Sequence, residues 1–306
     1  MPAPMPPHPR VSVIIPHLNE PEDLRRCLAA LKAQEADGLP FEVIVVDNGS
    51  RDLPRAICAD VRLEREPIPG PGPARNRGAE VARAEILAFI DADCIAAPGW
   101  ILEIVRTFDG NPDIHCLAGD IRVARMGNEP ATAIESYERI FSYRVKLYVE
   151  RDHFAATGNM AVRRSVFRTV GPFGGIAVME DNDWGRRATA LGFRIAYAPR
   201  MRVTTPPCKS YAELTRRWDR HIAHGFAELD AHPLSTAKWL ARSLAIAASP
   251  LAEIPRLLVT DRVSTARERG LAFSCLVGVR LYRARKMLSL ALTRNSGRMI
   301  ESWNRD

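Results

Sequence analysis

Ile86-Leu87-Ala88-Phe89-Ile90-Asp91-Ala92-Asp93 runs five apolar residues directly into two carboxylates. An apolar run of this length, closed by polar residues, is the pattern of a strand buried on both faces. Two other runs share it. Val11–Pro16 (VSVIIP) leads to Asn19-Glu20-Pro21, and Phe41–Val46 (FEVIVV) ends on Asp47-Asn48-Gly49-Ser50. Between them, Leu24, Cys27, Leu28 and Leu31 recur at i, i+3, i+4 and i+7. They form one apolar helical face after an asparagine cap and a first-turn proline. Helices are also expected from Ala74 to Ala84 and from Pro98 to Phe108. Strands alternating with helices imply parallel pairing and an α/β sheet covered on both faces.

The polar residues fall where such a sheet binds ligands. Asp47 and the pair Asp91 and Asp93 lie at the C-terminal ends of two apolar strands, and the ligand crevice of an open α/β sheet lies outside those ends. A lone Asp-x-Asp usually marks a solvated turn. At the end of an apolar strand it can direct one carboxylate to a sugar hydroxyl and the other to Mg²⁺ or Mn²⁺. Three converging carboxylates are costly unless a cation joins them, and a divalent metal with a nucleotide supplies one.

Gly70-Pro71-Gly72-Pro73-Ala74-Arg75-Asn76 superficially resembles a dinucleotide fingerprint. It follows a later strand rather than the first and carries Arg75 out of place, so that reading is rejected. Arg75 remains a candidate for a pyrophosphate or base, because a guanidinium grips phosphate oxygens bidentately. Glu180-Asp181-Asn182-Asp183-Trp184 is a second acidic cluster. From spacing alone it serves either as first-turn acids favoured by the helix dipole or as the source of a catalytic base.

Five segments, in order from Val11 to Pro199, resemble family 2 glycosyltransferases of the GT-A fold: VSVIIPHLNE, VIVVDNGS, ARNRGAEVARAEILAFIDADC, TGNMAVRRSVF with GPF, and MEDNDWGRRATALGFRIAYAP. The resemblance implies a nucleotide-binding GT-A domain with a mostly parallel central sheet, followed by a C-terminal helical extension. It implies that Pro16, Asn19 and Glu20 line the nucleotide pocket and that Asp47 contacts the base. Arg75 would hold the nucleotide, Asp91 would meet the ribose or metal, and Asp93 would bind Mg²⁺ or Mn²⁺. Asp181, beside Glu180, would be the general base. Gly158, Asn159, Asp183 and Trp184 would shape the acceptor side. Leu18 and Asn48 depart mildly from the family pattern. Thr205 departs more, standing where many relatives place a histidine that assists the metal; His221 and His224 are the candidates to replace it.

Length and charge divide the chain further. Of 306 residues, 46% are hydrophobic and 26% charged, which excludes a disordered or fibrous chain. Residues 1–210 balance at 27 basic and 27 acidic, whereas 211–306 hold 16 basic and 9 acidic, so the net charge of +7 lies in the last third. The expected organisation is a lead-in over 1–9, a catalytic domain over 10–210 and a basic, mainly helical region over 211–306. Met1–Pro9 has five prolines and no apolar core, so it is not expected to be a signal peptide. Six scattered cysteines, with no Cys-x-x-Cys, read as buried thiols of a reducing compartment. The expected location is therefore cytoplasmic, with peripheral attachment to the membrane face as the finer expectation. Arginines mixed with leucines beyond Tyr211 suit helices on an anionic membrane surface, or helices packed on the catalytic domain or on a second subunit. Nucleic acid is not an expected partner, because no recognised module accompanies the arginines.

Three functions compete. The first is an inverting, metal-assisted transferase moving a sugar from a nucleotide-diphosphate donor to a sugar or lipid-linked acceptor, in cell-surface polysaccharide or glycolipid synthesis. The second is a nucleotidyltransferase, disfavoured because its first loop would be rich in glycine and basic residues, whereas this one reads PHLNE. The third is an inactive nucleotide-sugar binder, disfavoured because Asp93 and Asp181 are both present.

Overall fold

β1 (Val11–His17) is the axis of the first half of the sheet. It pairs in parallel with β2 (Phe41–Asp47) on one side and β4 (Ile86–Ile90) on the other, and β2 pairs in parallel with β3 (Arg62–Arg65). The computed structural model describes residues 8–34, 38–127, 129–227, 229 and 233–293. The remaining strands are β5 (Ile95–Ala96), β6 (Cys116–Val123), β7 (Asn159–Arg163) and β8 (Ile195–Thr205). The sheet order is β3-β2-β1-β4-β7-β6-β8-β5. The expected parallel pairing holds for β3-β2-β1-β4. Beyond β4 it is corrected, because β7 runs antiparallel to β4 and β6, and β5 antiparallel to β8. Helices still separate the later strands, but β7 enters between β4 and β6 in the opposite direction, and β6, antiparallel to β7, runs the same way as β4.

The helices are α1 (Pro21–Lys32), α2 (Pro71–Val81), α3 (Trp100–Gly110), α4 (Ala133–Phe141), α5 (Val145–Leu147), α6 (Arg164–Val170), α7 (Glu180–Ala190), α8 (Tyr211–Ala227), α9 (Pro233–Ala248), α10 (Ile254–Val259) and α11 (Ala266–Thr293). Ile14, Ile15, Val45, Leu87 and Phe89 are fully buried, each contributing about 1.5–3 kcal/mol of hydrophobic stabilisation. α2 lies close on this core because Gly78 has no side chain: a Cβ there would stand 2.4 Å from Ile14 Cγ2. That close approach brings Arg75 and Asn76 of the same helix to the C-terminal edge of the sheet.

The chain divides into two units, Met1–Arg122 with Tyr143–Thr205, and Val123–Ser142 with Pro206–Asp306. The first holds the sheet. The second is helical and takes in α4, which the sequence reading set inside the segment 10–210. Tyr137 of α4 packs with Leu214 of α8 and with Leu276 and Val279 of α11, while Ile140 packs with Leu257 and Ala272. Buried Glu138 of α4 accepts from the Arg217 guanidinium at 2.8 Å and from the Cys208 N–H at 2.6 Å. An amphipathic helix is drawn to whichever apolar surface completes its face, whatever its place in the chain. Residues 1–7 of the expected lead-in and 294–306 of the basic tail lie outside the described residues.

Candidate active site

The first two strands deliver a buried carboxylate. His17 and Asp47 are register partners at the ends of β1 and β2, and His17 Nδ1 stands 3.2 Å from Asp47 Oδ1. The Glu20 N–H donates to His17 Nε2 at 3.3 Å, which puts the ring proton on Nδ1, directed at the carboxylate. Asp47 Oδ2 accepts from the N–H groups of Gly49 and Ser50, both at 3.2 Å. The loop after β1 is tied to the loop after β2. Asn19, in a left-handed conformation with φ of 54°, takes the Arg51 N–H on Oδ1 and donates its own N–H to Ser50 Oγ. Pro16 is half-buried, and Asn19 and Glu20 are exposed beside it. His17 completes this cluster, a role the sequence reading missed; its sign was a histidine closing a strand that is apolar apart from Ser12. Asn48 holds the next loop, donating to the carbonyls of Glu66 and Ile68 and accepting from the Gly70 N–H.

The second cluster lies beyond β4. Arg75 is buried, and its guanidinium reaches two carboxylates: Nη2 donates to Asp91 Oδ1 at 2.6 Å and Nη1 to Glu180 Oε1 at 3.1 Å. Asp93 Oδ2 accepts from Thr205 Oγ1 at 3.2 Å. Thr205 thus stands beside Asp93, where the resemblance places a histidine in other members, while His221 and His224 lie on α8 in the helical unit. Burial, with the charge of Asp91 adding to it, pushes the Asp93 carboxyl up to about 6. Gly158 leaves room for the pair, since a Cβ there would come within 2.7 Å of Asp91 Oδ2.

α7 opens on Glu180 and Asp181, in the first turn that favours negative charge. Burial pushes the Asp181 carboxyl up to about 7; the charge of Glu180 adds to the rise, while the Asn182 N–H and the Arg75 charge oppose it. A carboxyl near neutrality has the proton affinity a general base needs at physiological pH. The start of α7 is anchored from behind. Asn76 of α2 exchanges hydrogen bonds with the backbone of Phe173, at 2.9 and 2.8 Å, and Phe173 packs on Trp184 of α7.

Three residues expected on the acceptor side make contacts within the protein. The Asn159 amide is consumed inside the protein: Oδ1 accepts from Trp100 Nε1 at 2.9 Å, and Nδ2 donates to the carbonyls of Asp120 and Met201. Trp184 is 1% exposed, donates Nε1–H to the Gly171 carbonyl and stacks on Phe167. Asp183 pairs with Arg187 one turn on, at 3.0 Å.

Among the described residues no group of three or more histidine, cysteine, aspartate or glutamate side chains forms a ready metal site. Asp91 and Asp93 nevertheless have the character a divalent cation requires. Both are hard oxygen donors, and the raised Asp93 reflects burial together with the neighbouring Asp91 charge, which a bound cation would offset.

Strand-end carboxylates on a sheet of mixed parallel and antiparallel pairings fit the GT-A fold of glycosyltransferases. Comparison with known proteins agrees. The sequence model of Glycosyl transferase family 2 matches residues 12–171, just over half of the chain. Glycosyltransferase AglE of Haloferax volcanii is 32% identical over 219 residues, spanning 68% of this chain and 70% of that protein. The pre-mycofactocin glycosyltransferase of Mycobacterium tuberculosis is 27% identical over 205 residues, 63% of this chain and 42% of that protein. The mannosyltransferase PcManGT from Pyrobaculum calidifontis, solved with GDP-Man and Mn²⁺, shares the fold with a TM-score of 0.61 at 18% identity, covering 94% of this chain and 88% of that one. The chain belongs to glycosyl transferase family 2 and is a glycosyltransferase.

Proposed function

We propose that the protein transfers a sugar, with inversion, from a nucleotide-diphosphate sugar to a hydroxyl of a sugar or lipid-linked acceptor, in cell-surface polysaccharide or glycolipid synthesis. The observation that carries this reading is Asp181, a carboxyl raised to about 7 beside the Arg75–Glu180 pair and on the same unit as Asp47, Asp91 and Asp93. Asp47, fixed by His17, receives the base of the nucleotide, with Pro16, Asn19 and Glu20 around it. Asp91 and Asp93 would hold Mg²⁺ or Mn²⁺, which when bound supplies positive charge to the leaving diphosphate. Arg75 keeps its charge at every working pH and orients Asp91 and Glu180.

Asp181 accepts the proton of the acceptor hydroxyl as the acceptor oxygen bonds to the anomeric carbon. The bond from that carbon to the diphosphate oxygen breaks, and the nucleoside diphosphate leaves with the electron pair. A single displacement on the face opposite the leaving group inverts the centre. GDP-mannose with Mn²⁺ is the first probe, because the fold neighbour was solved with that pair. A thermal-shift screen of nucleotide-sugars with Mn²⁺ should identify the donor, since a ligand bound only to the native state raises Tm. NMR of the product anomer should then show the configuration opposite to the donor's. Retention of configuration, or no stabilisation by any nucleotide-sugar, overturns the proposal.

A further inference from the structure

α9 has two apolar faces, and the helical unit uses one. Trp239 and Ser243 are buried against α11, where Trp239 Nε1 donates to the Met287 carbonyl and Ser243 Oγ to the Ala284 carbonyl, both at 2.9 Å. On the other side, Ala237, Leu240, Ala241, Leu244, Ala245 and Ala248 are all exposed. At about 100° per residue these six positions fall in one stripe about 140° wide. The stripe has aliphatic successors along the chain. Leu244 is 66% exposed, Leu251 69%, Leu258 65% and Val259 82%. Isolated exposed leucines need no explanation, but a helical stripe followed along the chain by further exposed aliphatics does.

The charges along this segment have one sign at the surface. Residues 233–260 contain Lys238, Arg242 and Arg256 against a single acid, Glu253. Lys238 and Arg242 are exposed beside the stripe, whereas Glu253 pairs with Arg280 at 3.7 Å. No helix of the described residues is long and apolar enough to cross a membrane. A short apolar stripe edged by cations instead suits a helix lying in the headgroup region, its leucines among acyl chains and its basic groups on anionic lipid.

We infer that the exposed face of α9 and the segment from Leu251 to Val259 form a docking surface for an anionic lipid membrane. The rim cations and the +7 charge of residues 211–306 oppose a second copy of the chain on this face and attract anionic headgroups. The stripe offers only alanine and leucine, without the aromatic anchors that protein interfaces favour. The inference stands apart from the sugar-transfer reading, since its readout is lipid binding and either can fail alone.

The test is co-sedimentation of the whole protein with phosphatidylcholine vesicles, with and without about 30 mol% phosphatidylglycerol, a content that sets the surface potential. The parent should bind the anionic vesicles at least about tenfold more tightly and be released by high salt. Leu244→Gln combined with Leu258→Gln alters exposed positions only. It should weaken partitioning at least about tenfold with an unchanged circular dichroism spectrum. Lys238→Gln with Arg242→Gln should weaken the preference for anionic lipid, and an undiminished preference overturns the inference. Equal binding to both vesicle types, or undiminished binding by the leucine variant, overturns the inference. So does a dimer in gel filtration that the leucine variant dissociates while the parent ignores vesicles.

Discussion

Arg75 Nη2 lies 2.6 Å from Asp91 Oδ1, and the same guanidinium reaches Glu180 Oε1 at 3.1 Å. Arg75 is 16 residues from Asp91 and 105 from Glu180, so one side chain joins the end of β4 to the start of α7. Removing it leaves two carboxylates facing each other without their shared cation. Arg75→Ala should cost about 2–3 kcal/mol by urea denaturation, less than the about 3–5 kcal/mol of a fully buried pair because the Asp91 side chain is 40% exposed. Arg75→Lys should rescue only part, since an ammonium cannot reproduce the two-pronged geometry.

Asp181 makes pH the control variable. The base works only when ionised, so transfer should rise with pH through about 7 and fall below it. Asp181→Asn should lower single-turnover transfer by roughly 10²–10⁴-fold while nucleoside diphosphate binding, followed by titration calorimetry, is retained.

Stability should move in the opposite direction. The folded Asp181 carboxyl titrates near 7 against an ordinary 3.8, so the native state binds the extra proton between those values. Its contribution is greatest at low pH and is lost as pH rises through about 7. Asp181→Asn should therefore raise Tm relative to the parent at pH 8 and change it little at pH 4. An equal shift at both pH values would contradict the raised carboxyl.

His17 is expected to act on affinity rather than rate. His17→Phe removes the donor at Asp47 Oδ1 and the acceptor for the Glu20 N–H. Donor KM should rise about tenfold, equivalent to about 1.4 kcal/mol, with kcat nearly unchanged. His17→Asn, which can still present an N–H near the Nδ1 position, should recover much of the loss.

Gly158→Ala tests the space beside Asp91. The added methyl would sit 2.7 Å from Asp91 Oδ2, so that carboxylate must move. Nucleotide binding that depends on Mn²⁺ should weaken, while metal-free binding is little affected. Asp93→Ala should give the same signature more strongly.

Much of the catalytic unit is written in short stretches of sequence. Apolar runs of four or five residues mark β1, β2 and β4, and the carboxylates that end β2 and follow β4, Asp47 and Asp91, need no distant partner to reach the crevice edge. The same locality made the Glu180-Asp181 start of α7 visible, because a helix opening favours acids. Packing settled the rest. Asn159 lies in a segment that looks functional, yet its amide is spent on Trp100, Asp120 and Met201, residues up to 59 positions away. Arg75 meets carboxylates rather than open solvent, His17 gains a partner through strand register, and α4 joins helices that follow it by 70 residues or more. Periodicity and turn chemistry act within about ten to fifteen residues, so sequence specifies elements and the charges at their ends. Which polar atoms are satisfied, and which apolar face is covered, depends on neighbours that only the assembled chain brings together.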